Sequence, residues 1–538
     1  MCGLTGIVNL SGENVDRDLL VKMQETLSHR GKDSQGIYLK GNVGLAHNRL
    51  AVIDPGMAAN QPFESADKRY VIIYNGTLYN FKDLRKELKK LGYVFKSSSD
   101  TEVVIYSYIE YGRRCVDRFN GVYAFAVLDT DKHEVFLARD RYGVKPLYYY
   151  QDRSLFIFAS EIKPFLKHPR VLKEINLHAM KEYFCFQNVY SDNTLLKNVF
   201  LFPPGNYAFI NLKSKSLDME KYWDFNFSSK MDVSFNEAAD ELKYILKKAI
   251  SRQLISDVPL GSYLSGGMDS STLAAVTRKS IPQLPTFTGA FHMEGVGGRE
   301  AVFDERNKAR KVAEHFNLPN YQVVMDSRTM PDIIEDLVYY NDDLRVGQCW
   351  QNYTVARLAS EHVKVVLCGA GGDELFGGYP WRYSSVQDAA SADDFHERYF
   401  QYWQRMVSRE DMGDFFVREV FNEISSYDLR SVFESVFENY EGGFLDMYDM
   451  IFYFELKTFM QGLLIVEDRM SMAHGIETRV PFLDNSIVEF STRLPWDYKL
   501  KISDSIEGKK ILVKAQSDIL PAVICNQNKQ GFSPPDEN

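Results

Sequence analysis

Near residue 222 the rhythm of this chain changes, and such a change limits the fold more than any single motif does. Upstream, short β-branched and aromatic runs are separated by turn residues: GLTGIVNL, NVGLAHNRLAVID, RYVIIYNG, GVYAFAVLD, EVFLARD and SLFIFAS. Helical stretches such as DLLVKMQETLSHR and FKDLRKELKKL interleave, which predicts an α+β domain built on antiparallel sheet. The pattern loosens through FPPGNYAFINLKSKSLDMEKYWDFNF, which places a boundary in residues 222–234 and a first domain over 1–222. A second domain is expected over 235–538, where strands and helices alternate. FNEAADELKYILKKAISRQL puts Leu242, Ile245, Leu246, Ala249 and Ile250 on one helical face. VPLGSYL, PTFTGAF, YQVVMD and KVVLCG then read as strands joined by helical crossovers, which predicts a parallel sheet covered on both faces. Residues 380–470 are predicted to be helical, acidic and rich in aromatics.

Two domains also suit a length of 538 residues, more than one ordinary core sustains. The net charge of −10 argues against nucleic acid or an anionic membrane as the main partner. No apolar run approaches the roughly 20 residues of a membrane span, and the start of the chain lacks the pattern of a signal peptide. The six cysteines (Cys2, Cys115, Cys185, Cys349, Cys368, Cys525) are scattered without a CxxC pair. That usage belongs to a reducing compartment, so a cytoplasmic enzyme without disulfides or a zinc site is expected.

Two loops carry candidate chemistry. LSGGMDSS, Leu264 to Ser271, lies between a strand and a helix. Its glycines let backbone N–H groups approach an anion, and the helix start adds the positive end of its dipole. Ser265 and Ser270 add hydroxyl donors, and Asp269 is suited to hold Mg²⁺ against phosphate oxygens. The loop is not a Walker A motif, and its composition is also that of an ordinary βα turn. A second loop, LCGAGGDELFGGY, brings Asp373 and Glu374 to the same expected sheet edge, where parallel sheets bind ligands. Together they predict a nucleotide–magnesium site.

SGGMDSS matches the loop of ATP pyrophosphatases. With MCG at the start, the chain resembles glutamine-dependent asparagine synthetases over nearly its whole length. The matching elements are RGKDSQGIY, AHNRLAVID, YNGTLYN, SSSDTEVV, FNGVYAFAVLD, RDRYGVKPLYY, SYLSGGMDSS, GGDELFGGY, EDRMSMAHGIETRVPFLD and KQGF. The resemblance implies an αββα sandwich of the N-terminal nucleophile hydrolase type, followed by a doubly wound ATP-pyrophosphatase domain with helical additions. It implies that loss of Met1 makes Cys2 the nucleophile of a glutaminase, its α-amine (reference pKa about 7.7–8.0) serving as base. Arg49 would pair with the glutamine carboxylate and Asp100 with its ammonium, while Asn75 and the Gly76 N–H would form the oxyanion hole. A papain-like pairing of Cys2 with His29 or His47 has only residue types in its favour.

In the second domain the resemblance implies that ATP activates a carboxylate as an acyl-adenylate. Ammonia arriving through an internal tunnel then displaces AMP. Ser265, Gly266, Gly267, Asp269 and Ser270 match the pyrophosphate loop, and Leu264, Gly289, Cys368 and Gly369 match positions lining adenosine. Asp373 matches the second acidic site, so Asp269 and Asp373 are the expected metal ligands. Lys509, rather than its neighbour Lys510, matches a lysine that neutralises pyrophosphate.

Three departures stand out. Thr77 replaces the family's NGE glutamate, which helps bind glutamine's amino group. Lys32 replaces the proline of RGPD. Ala370 replaces the first glutamate of SGEGSDE, which contributes to activating aspartate. The acceptor is therefore expected to be aspartate or another carboxylate, such as a uronic acid of a surface polysaccharide; the aromatics of 380–470 are suited to stack on sugar rings, but at helical spacing each of them is more often core. A catalytically silent metabolite sensor is the reading from another class, and a homodimer is the assembly open to such a chain.

Overall fold

Twelve strands of the first half form two antiparallel sheets in a computed structural model that describes residues 2–292, 304–346, 349–438, 440–503 and 506–525. Met1 and the KQGF motif lie outside the described residues. The strands are β1 (Gly3–Asn9), β2 (Ser34–Lys40), β3 (Val43–Arg49), β4 (Phe63–Glu64), β5 (Tyr70–Leu78), β6 (Gly121–Asp129), β7 (Glu134–Arg139), β8 (Tyr148–Gln151), β9 (Leu155–Ala159), β10 (Val199–Leu201), β11 (Asn206–Asn211) and β12 (Ser216–Lys221). One sheet runs β10-β8-β9-β1-β3-β2 and the other β12-β11-β7-β6-β5-β4.

Alternation along each strand decides the layering. Leu4, Val8 and Leu45 of the first sheet meet Val71, Ile73 and Leu137 of the second. The opposite faces take helices. Ile7 and Ala46 pack on Leu20 and Met23 of helix α1 (Arg17–Glu25). Ile72 and Phe125 pack on Leu84 of α2 (Phe81–Lys90) and Val103 of α3 (Asp100–Tyr111). Helix, sheet, sheet, helix is the αββα sandwich. NVGLAHNRLAVID is not strand to its end: β3 stops at Arg49, because the next residues curl around its guanidinium, which donates to the carbonyls of Ile53, Asp54 and Gly56.

The second half opens with helix α4 (Phe235–Arg252), closed at its start by a capping box between Ser234 and Glu237. Leu242, Leu246, Ala249 and Ile250 are buried, while Ile245 is only half-buried. Five parallel strands follow: β13 (Leu260–Tyr263), β14 (Thr286–Phe291), β15 (Asn320–Met325), β16 (Val365–Leu367) and β17 (Glu477–Arg479). Their order, β15-β14-β13-β16-β17, is doubly wound and reverses between β13 and β16. The fifth strand was not among the four expected. Helices α5 (Met268–Thr277), α6 (Arg306–Phe316), α7 (Thr329–Asn341), α8 (Cys349–Ser360), α9 (Gly372–Phe376) and α10 (Phe459–Ala473) cover the sheet or cap its loops. Several aromatics of 380–470 are core, as helical spacing favours: Tyr399, Trp403, Phe433 and Phe454 are buried against one another, whereas Trp381 and Phe415 are exposed. Among the described residues no helix is long and apolar enough to cross a membrane. None of the six cysteines is in a disulfide.

The two halves share a core and a buried ion network. Leu50, Val52, Tyr142 and Val144 belong to the same apolar cluster as the second half's helices. Arg30, fully buried, donates to Glu161 and to Asp468 of α10 at 2.8 Å each, and its Nε donates to the Cys2 carbonyl at 3.1 Å. Arg469 lies 3.2 Å from both Glu161 and Asp342. Removing one member of such a network strands a buried charge. Arg30→Ala is expected to lower stability by about 3–5 kcal/mol in chemical denaturation; a loss below about 1 kcal/mol would show that the network is not holding the halves together.

Candidate active sites

The first site forms where the edge of the first sheet meets β5. Cys2 immediately precedes β1 and is 6% exposed. Its main-chain nitrogen donates to Asn75 Oδ1 at 2.8 Å, while Asn75 Nδ2 is buried and has no partner among the described residues. Cys2, Arg49, Gly76, Thr77 and Asp100 line one narrow cavity, and Asn75 stands at its edge through that bond. Burial pushes the Cys2 thiol up; the chain's N-terminal ammonium, the Leu50 N–H and Arg49 offset this only in part. The thiol therefore rests protonated, and any attack by its sulfur would need a base.

Arg49, also buried, has its guanidinium held by loop carbonyls and by Asn60 Oδ1 at 3.0 Å, with no carboxylate in ion-pairing distance among the described residues. Asp100 begins α3, whose start Ser99 caps, and accepts from Tyr74 Oη at 3.0 Å and the Leu78 N–H at 2.9 Å. Burial outweighs these bonds and raises its pKa above the ordinary carboxylate value. The cavity thus holds one unneutralised cation and one carboxylate without a cation. The histidines are engaged elsewhere: His29 Nε2 donates to Glu161 and His47 Nε2 to the Tyr74 carbonyl, each at 3.0 Å. Burial depresses His47 to about 3, so its ring is neutral at pH 7.

Glu477 was missed in the sequence. It lies on β17 in the second half yet lines this first cavity, accepting from Thr77 Oγ1 at 3.0 Å and Arg479 Nε at 2.7 Å. Burial alone would raise it; the N-terminal ammonium, Arg479 and Lys145 reverse this and hold it well below the usual carboxylate range. Thr77, where the family resemblance leads one to expect glutamate, is thus bonded to a carboxylate from the other domain. The motif ETRVPFLD contained Glu477, but no local signal linked it to Cys2.

The second site is a cavity of about 900 Å³ at the carboxyl edge of the parallel sheet, between the loops after β13 and β16. Leu264, Ser265, Gly267, Asp269, Ser270 and Gly289 line it, as do Cys368, Gly369, Asp373 and Lys509. Gly266 does not line it. It turns the loop with φ +78°, and a Cβ there would lie 2.6 Å from the main chain of Lys308 and Ala309. Ser265 and Ser270 place their hydroxyls 3.0 Å apart at the start of α5. Lys509 Nζ bridges Asp269 and Asp373, 2.6 Å from the latter, whereas Lys510 Nζ donates to the Asp497 carbonyl. Ala370 lies on the same wall as Gln351 and Glu467, two further residues the sequence did not single out.

A buried cysteine at the head of an αββα sandwich, packed on a parallel sheet with a nucleotide-sized cavity, defines a glutamine amidotransferase joined to an ATP-using ligase. Comparison with known proteins agrees. Residues 1–223 match the model of a glutamine amidotransferase domain and residues 241–538 that of asparagine synthase. The chain is 32% identical to glutamine-hydrolyzing asparagine synthetase 3 of Bacillus subtilis (strain 168), over 99% of this chain and 87% of that one. To asparagine synthetase 1 of the same strain it is 30% identical, with the same two coverages of 99% and 87%. The chain belongs to the glutamine-dependent asparagine synthetase family, and it is a ligase of that type.

The Gly266 geometry is testable. Gly266→Ala forces strain or a shift of α6, and affinity for a fluorescent ATP analogue is expected to fall at least about tenfold. Unchanged binding would mean that the loop's turn does not position the nucleotide.

Proposed function

We propose that residues 1–222 hydrolyse glutamine and residues 235–538 activate an acceptor carboxylate with ATP, the two joined by passage of ammonia. The observation that carries this reading is the Cys2–Asn75 pair: the main-chain nitrogen of Cys2 donates to Asn75 Oδ1, while Asn75 Nδ2 has no partner among the described residues. Once Met1 is removed, that nitrogen is a free α-amine. It takes the thiol proton as sulfur attacks the glutamine amide carbon, and Asn75 Nδ2 with the Gly76 N–H receives the developing oxyanion. The amine returns the proton to the leaving nitrogen. Ammonia departs, and water hydrolyses the thioester to glutamate. Arg49 takes the substrate's α-carboxylate, and its α-ammonium enters between Asp100 and the Thr77–Glu477 pair. Glu477 thereby supplies the charge that Thr77 lacks.

Ammonia then crosses at β17, whose consecutive residues serve the two sites: Glu477 lines the first, and Thr478 bonds Glu467 on the wall of the second. There the acceptor carboxylate attacks the α-phosphorus of ATP, pyrophosphate leaves, and ammonia displaces AMP from the acyl-adenylate. The start of α5, Ser265, Ser270 and Lys509 hold the phosphates. Asp269 and Asp373 fit a magnesium ion. They are hard oxygen donors converging on one lysine, and glycines keep room around them: a Cβ on Gly378 would fall 1.8 Å from Asp373 Oδ1. When bound, such an ion neutralises phosphate charge. Aspartate is the acceptor this family implies. Ala370, which removes a carboxylate from the activating loop, favours a different acid such as a uronic acid as the second reading. The scattered free cysteines suit a cytoplasmic location.

The test uses protein confirmed by mass to lack Met1. Cys2→Ala is expected to abolish glutamate formation yet keep amide formation from added ammonium. Asn75→Ala is expected to lower kcat for glutamine hydrolysis by roughly 10²–10³. Glutamine hydrolysis surviving in Cys2→Ala would overturn the reading.

A further inference from the structure

Beside the nucleotide loops, the cavity wall is completed by α8 and α10, through Gln351, Asn352, Leu463 and Glu467. Glu467 is 7% exposed and held by neutral donors alone: Thr478 Oγ1 at 2.9 Å and Asn352 Nδ2 at 2.7 Å. Among the described residues no lysine, arginine or histidine lies within ion-pairing distance of it. It is the largest charged influence on the thiol of Cys368, which sets it beside the loop that carries Ala370. Gln351 is fully buried and lines the same cavity, and neither its amide oxygen nor its nitrogen has a partner among the described residues. Buried polar groups left in that state are destabilising unless a ligand satisfies them.

We infer that Glu467 and Gln351 form the acceptor-binding end of the cavity and recognise hydrogen-bond donors carried beside the carboxylate to be activated. The inference rests on the ATP-dependent reading above and names the substrate chemistry of that site. A carboxylate facing a dry wall attracts an ammonium or hydroxyl and repels the acceptor's own carboxylate. The reacting group is therefore turned away from Glu467, toward the phosphates and Lys509. Gln351 both donates and accepts, so it can pair with whatever the donor group leaves open. The carboxylate absent at position 370 is in this way returned from a neighbouring helix. An amino acid acceptor would present its α-ammonium to Glu467, and a sugar acid its ring hydroxyls.

The experiment measures pyrophosphate release at saturating Mg-ATP and glutamine, with L-aspartate in one arm and UDP-glucuronate in the other. Wild type is compared with Glu467→Gln, Glu467→Asp and Gln351→Met. The expected result is a rise of at least about tenfold in KM for the acceptor that wild type uses, in both Glu467→Gln and Gln351→Met. KM for ATP should move less than about twofold, and Glu467→Asp should recover part of the loss. Unfolding midpoints identify variants that have merely lost their fold. An ammonium source is shown if the aspartate arm responds, a hydroxyl source if the sugar arm does. Acceptor KM values unchanged in both variants overturn the inference while leaving the ATP-dependent reading intact. If wild type releases no pyrophosphate, that reading fails, and calorimetric titration of the two acceptors decides the subsite separately. Binding lost in Glu467→Gln then supports it, and absence of binding to wild type overturns it.

Discussion

One guanidinium without access to water governs how this molecule is put together. Arg30 spends its donors on Glu161 in its own domain, on Asp468 in the other, and on the carbonyl of Cys2 itself. Burying an arginine so completely is unfavourable unless each donor meets charge or carbonyl at short range. That requirement fixes α10 relative to Cys2, the residue just before β1. The placement of Cys2 is therefore not a property of the first domain alone. The helix that anchors it also carries, one residue earlier, the carboxylate on the wall of the nucleotide cavity.

The same economy recurs on β17. A strand sends successive side chains to opposite faces, and here the faces belong to different sites. Glu477 reaches Thr77 beside Cys2, while Thr478 reaches Glu467 beside the nucleotide loops. A three-residue strand at the edge of the parallel sheet thus sends neighbouring side chains to residues of both cavities.

What could be read without coordinates followed from how local each signal is. The loop LSGGMDSS announces itself because its glycines, hydroxyls and carboxylate lie within eight residues of a strand end. The layered sheets were legible from runs such as GVYAFAVLD, which is β6 from end to end. Helix α3 was not, because Val103, Val104, Ile105 and Tyr106 favour strands by propensity, and only the Ser99 cap and burial on the second sheet make them helical. β17 was too short to show a period. The Thr77–Glu477 bond joins residues 400 apart, so neither partner could have pointed to the other. Thr77 looked like a missing charge in the sequence; in the fold it is a contact that brings a charge in.

Ala370 has the same character. Viewed alone it lacks the carboxylate that the resemblance places in this loop, yet Glu467 lines the same cavity with only neutral hydrogen-bond partners among the described residues. The two positions differ in how freely they can change. Glu467 faces the cavity, but its neighbour Asp468 is bound to Arg30 and through it to Cys2. Positions 351, 370 and 467 all line that cavity and are not bonded to the first site. Glu477 and Asp468 stay fixed by their duties to the first site. A chain built this way can change the acid it amidates without disturbing the source of its ammonia, because the two functions share backbone but not side chains.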